Sequence, residues 1–98
     1  MRHGEMLRNL RESAALSQAD VGLLVGATST TVANWEQDRS RPGNEHVRRL
    51  ASLYGQTVAA IRGEEPVRRL DRQERLGLER ARDVQLREAQ EKDRRRDE

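Results

Sequence analysis

The sequence predicts an all-α protein, five short helices forming one small domain and a charged helical extension behind it. Three observations predict it. Through residues 1–63, apolar side chains recur at the i, i+3, i+4 spacing of amphipathic helices. Runs of alternating β-branched or aromatic residues, the mark of strands, never exceed a few positions. Beyond residue 63 the composition changes: eleven bases and eleven acids crowd into residues 64–98, and little apolar content remains. The 98 residues therefore divide into a domain over 1–63 and a tail over 64–98. A domain of that size buries only about 60% of its unfolded surface, so a second subunit is a common source of support.

Helix one is expected over residues 4–14, where Met6, Leu7 and Leu10 share a face. Ser17-Gln18-Ala19-Asp20 then has the form of a helix start, a hydroxyl acceptor followed by an acid in the first turn. Val21, Leu24 and Val25 continue helix two, and Gly26 stops it. Thr28 is the next candidate cap, and helix three follows from Ser29 to about Gln37 with Val32 and Trp35 inward. The segment from Asp38 to Gly43 is a basic loop with strong helix breakers. Asn44 can cap helix four, whose inward residues are Val47, Leu50, Ala51 and Tyr54, and Gly55 ends it. A fifth short helix, about Thr57 to Arg62, offers Val58 and Ile61.

Helices two and three are joined by only Gly26-Ala27-Thr28, a spacing that sets them roughly perpendicular and lets the second project from the surface. From Leu7 to Ile61 the chain resembles the phage-repressor (Cro/cI or Xre) family of helix-turn-helix DNA-binding domains, with the lambda-repressor-like fold. The residues that carry the resemblance are Leu10-Arg11, Leu16 to Val21, Gly26 to Thr28, Val32, Trp35-Glu36, Arg41-Pro42, Leu50-Ala51 and Leu53 to Gly55. The resemblance implies double-stranded DNA as partner, with the N-terminal end of helix three in the major groove. Ser29, Thr30 and Asn34 then take base-reading positions, with Thr31 beside them. Asn34 is the strongest of these, because an amide can bond both N6 and N7 of adenine. Gln18, Arg39, Ser40 and Arg41 take phosphate positions. Arg11 and Glu36 match a structural ion pair joining helix one to the end of helix three, and Arg11 is also a candidate phosphate contact.

Three departures from the family pattern stand out. Leu23 and Leu24 are adjacent on a short helix where polar residues are usual, so at least one must meet another surface, the tail or a second subunit. Ala15 and Asp38 stand where Gly is common. The expected dimer or tail interface comprises Leu23, Leu24, Val58, Ile61, Val67 and Leu70.

In the tail, Glu64-Glu65-Pro66 reads as a helix start. Six acid-before-base pairs at i,i+4, from Glu64–Arg68 to Glu91–Arg95, favour one long helix. A thin stripe of Val67, Leu70, Gly77, Ala81 and Val84 suits packing from Val67 to Ala81 and fraying beyond.

The function expected is a homodimeric repressor reading a palindromic operator. The alternative is an antitoxin-type module whose tail folds on a protein partner. The chain holds no Cys, no nucleophile–base pair and no phosphate loop, and His3 and His46 are isolated and read as solvated. An enzyme, a metal site and a cofactor are therefore not expected. Neither a signal-peptide core nor an apolar span appears, which points to the cytoplasm, with the nucleoid of a bacterium or a phage as setting.

Overall fold

The computed structural model describes residues 2–96, with side chains through residue 94. It is helical: α1 (His3–Ser13), α2 (Gln18–Val25), α3 (Ser29–Glu36), α4 (Asn44–Tyr54), α5 (Val58–Ile61) and α6 (Arg72–Arg96). Among the described residues no helix is long and apolar enough to cross a membrane. Leu7, Val21, Val25, Val32, Trp35, Val47, Leu50, Tyr54 and Ile61 form the core. Each of the first five helices contributes to it. Burial pushes the Tyr54 phenol above its ordinary range.

Three helix starts follow hydroxyl caps, while α4 starts after Gly43 with no side-chain cap, and Asn44, expected to cap it, is the first residue of the helix and accepts from Arg62 Nη2 at 2.8 Å instead. Ser17 and Asp20 exchange the reciprocal bonds of a capping box, and Thr28 and Thr57 accept from the amides of Thr31 and Ala60. The helix ends follow the left-handed backbone. Gly26 turns α2 toward α3 at φ 77°. Ala15 turns α1 at φ 56°, and its amide and that of Leu16 bond back to Glu12 and Arg11. Left-handed backbone costs a residue with a Cβ about 1–2 kcal/mol, and Ala15 is exposed. Ala15→Gly should therefore raise the stability by about 0.5–1 kcal/mol in urea denaturation, the rest being lost to the freer unfolded chain. An unchanged or lower stability would show that the turn is unstrained.

The tail departs from expectation. Residues 64–71 are not helical, and α6 begins only at Arg72. Asp71 and Glu74 supply the start, the Glu74 amide donating to Asp71 Oδ1 (2.8 Å) and the Asp71 amide to Glu74 Oε1 (3.2 Å). The Gln56 side chain takes the backbone of Arg68 on both sides, at 3.0 and 2.8 Å, and so removes from any helix the groups it would need. The Arg68 guanidinium ties the segment further to the Gly55 carbonyl and to Glu74. Of the six expected i,i+4 pairs, Glu91–Arg95 lies outside the described side chains and none of the other five forms an ion pair.

The packing stripe of α6 also differs. Val67 and Val84 are exposed. The side chains that face the domain are Leu78, Arg82, Leu86 and Ala89, an i, i+4, i+8, i+11 stripe against α2 and α4. Leu78 and Leu70 seat against Gly55, and Leu86 packs on the core. Arg82 sits in the middle of the stripe, where its stem is covered and its Nε donates to the Leu53 carbonyl at 2.9 Å. That carbonyl lies in the last turn of α4, which leaves its acceptors free and favours a cation.

Candidate nucleic-acid interface

The brace behind α3 is built from three helices. The Arg11 guanidinium meets both oxygens of Glu36, Nε to Oε2 at 2.7 Å and Nη2 to Oε1 at 2.9 Å. Its third nitrogen donates to the Leu16 carbonyl at 2.9 Å. The Glu36 side chain is only 4% exposed, so the pair is largely withdrawn from water. The bond to Glu36 holds the Arg11 guanidinium above its ordinary range. Gln18, at the start of α2, adds its amide to Glu36 Oε1 at 3.2 Å. One carboxylate thus joins the end of α3 to α1 and to the start of α2. Arg11 gives one hydrogen from each of its three nitrogens to Glu36 and Leu16, which makes it the positioning residue of the expected ion pair.

A second fastening lies one turn on. Asp38 adopts the left-handed backbone at φ 59°. It ends α3 in a Schellman turn, with the Arg39 amide on the Asn34 carbonyl at 2.9 Å and the Asp38 amide on that of Trp35 at 3.3 Å. Its carboxylate accepts the Gly4 amide at 2.9 Å, closing the N-terminus of α1. A Cβ on Gly4 would lie 2.3 Å from the Glu36 carbonyl oxygen, so only glycine lets these helix ends meet. Sequence reading missed both Gly4 and the Asp38 carboxylate. An acid within reach of a helix start is a signal only once the fold brings residues 4 and 38 together.

On the outer side, Ser29, Thr30, Arg39, Ser40 and Arg41 are exposed and Asn34 is half-buried between them and the core. Thr31 is drawn back: its amide and hydroxyl both bond Thr28 Oγ1, at 3.1 and 2.9 Å, so it serves the helix start. The Asn34 side chain and the Arg39 and Arg41 guanidinia form no hydrogen bond or ion pair among the described residues. The surface is therefore a helix tip with two free hydroxyls and an amide, flanked by two free cations.

The structure relocates other expected residues. Ile61 is fully buried in its own core and cannot lie at an interface. Val58 is half-buried at the edge of that core. Leu23 and Leu24 are half-buried and face α6 of the same chain. His3 is not solvated, as its Nε2 bonds the Ile61 carbonyl at 2.7 Å. His46 rests on Trp35, with ring centroids 5.2 Å apart.

This arrangement, two short helices packed together across a three-residue turn within an all-helical core, is the phage-repressor-like helix-turn-helix fold. A helix-turn-helix domain family model matches residues 3–62, and the chain belongs to that family. Among solved structures it is similar to the P22 c2 repressor, determined in complex with a synthetic operator, with a TM-score of 0.63 at 22% identity over 66% of this chain and 98% of that one. No curated protein matches.

Proposed function

We propose that the protein is a sequence-specific DNA-binding transcriptional regulator, a homodimeric repressor that reads a palindromic operator with α3 in the major groove. The observation that carries this reading is the braced α3, whose tip presents Ser29, Thr30 and Asn34 beside the free cations Arg39 and Arg41. Base edges are read by such hydroxyl and amide groups, and flanking cations hold phosphates. The Gln18 amide has two hydrogens and gives one to Glu36, so the other is available to a phosphate at the start of α2. The P22 c2 repressor, bound to its operator, supports the same use of the fold. The modest charge of the domain implies few phosphate contacts per subunit, which is why two subunits, with reading helices about 34 Å apart, suit specific binding. No observation favours a tail that folds on a protein partner, since α6 is helical and seated on its own domain.

The test is binding to the DNA upstream of its own gene against a scrambled duplex across a salt series. The upstream fragment should bind about 10³-fold more tightly. Asn34→Ala should cost about 1–3 kcal/mol of that preference and leave the salt slope unchanged. Equal binding to both duplexes by the unaltered protein would remove the self-regulating repressor reading.

A further inference from the structure

Where the start of α6 crosses the domain, a groove of about 470 Å³ opens between α1, the end of α4 and the linker before α6. Its apolar walls include Leu10 of α1 and Ala14 at its C-cap, Tyr54 of α4, and Val67 and Leu76 of the tail. Its polar lining holds five guanidinium groups, of Arg68, Arg69, Arg72, Arg75 and Arg82, beside Ser13, Tyr54, Gln56 and Glu79. Arg69, Arg72 and Arg75 line it and form no ion pair among the described residues. Glu79 is the one acid among the lining residues, and it closes no ion pair. Two of these cations, Arg72 and Arg75, stand in the first turn of α6, where the helix dipole disfavours positive charge.

Arg82 is the decisive member. Its side chain lines the same groove, yet the residue is only 9% exposed. Its Nε is held by the Leu53 carbonyl, and its terminal nitrogens bond nothing among the described residues. Its stem is covered while its terminal nitrogens open to the groove, where no carboxylate closes an ion pair with it and Glu79 acts on it only at longer range. The groove is thus a cationic recess with an apolar floor, lined by five arginines against one acid, Glu79.

We propose that this groove binds a small amphiphilic anion, its carboxylate or phosphate head against Arg82 and Arg75 and its apolar chain over Leu10, Ala14 and Leu76. The volume suits a small molecule, falling in the 300–1,000 Å³ range of ligand pockets. The occupant would touch the domain and the tail at once, so it would hold α6 in place. Tyr54, on the groove wall, is also part of the core that holds Val32 and Trp35 of α3, so the groove shares a wall with the packing behind the reading helix.

The experiment is isothermal titration calorimetry on the full chain with decanoate and with decyl phosphate, each below its micelle-forming concentration. Inorganic phosphate and decyltrimethylammonium are the comparison probes. One saturable site per chain is expected for at least one of the two anions, and which of them binds better identifies the head. Arg72→Gln with Arg75→Gln, and separately Leu76→Gln, should each weaken it about tenfold or more. All three positions are exposed, so circular dichroism should show both variants folded. The proposal is overturned by any of four results: no saturable binding, equal binding of the cationic amphiphile, equal binding of inorganic phosphate, or variants that bind like the unaltered chain. None of these readouts involves DNA, so the result stands apart from the operator test.

Discussion

Glu36→Ala should lower the stability by about 3–5 kcal/mol, because it leaves the Arg11 guanidinium half-buried without its counter-charge. Arg11 is 13% exposed at the side chain, and two of its three bonds go to Glu36. The third, to the Leu16 carbonyl, cannot balance the charge. Gln18 loses its acceptor in the same step. For a domain of this size each kcal/mol shifts the midpoint by about 4–8 °C, so thermal unfolding should move down by well over about 10 °C. The double change Arg11→Met with Glu36→Leu should recover much of the loss, since an apolar pair of similar volume carries no desolvation cost. A single variant that loses less than about 1 kcal/mol would show that the pair is solvated in solution and does not fix α3.

This pair was legible in the sequence because its partners belong to a recurring pattern. The five helices of the domain were legible for a different reason. Three of their caps are local, Ser17, Thr28 and Thr57 acting within three residues of themselves. The apolar residues that recur at helical spacing in α1–α4 are the ones that become core. Ile61 was misread because an apolar residue near the end of a small domain looks the same whether it faces inward or toward a partner. The start of α6 was misread because two signals competed. Glu64-Glu65-Pro66 is a good helix start in isolation, but Gln56, twelve residues before Arg68, takes the backbone that such a helix would use. Long-range bonds of that kind leave no periodic trace. The stripe of α6 was hidden by Arg82, whose charge breaks the apolar pattern although its stem is among the most buried in the tail. Of the candidate site, the exposed tip of α3 and its basic loop were readable from position. Thr31 was not separable from its neighbours until its bonds to Thr28 were seen.

Leu78→Ala with Leu86→Ala should release α6 from the domain while leaving α1 to α5 folded. Both side chains are half-buried, Leu78 against Gly55 and Leu86 against the core. Removing them deletes about three methylene-sized groups each, at about 0.8 kcal/mol per group for full burial. Half-burial brings the expected loss for the pair to about 2–4 kcal/mol. What remains of the docking is Arg82, whose bond to Leu53 cannot hold a charged 25-residue helix that buries few other apolar groups. Amide hydrogen exchange should therefore show α6 unprotected near its middle and the core helices still slow. Leu23 and Leu24, uncovered on α2, should then raise the tendency of the chain to associate, measured by light scattering against the unaltered protein. Retained protection in α6 would mean that Gln56, Arg68 and Arg82 fasten the tail by polar bonds, and the two leucines of α2 would then need a second subunit to explain them.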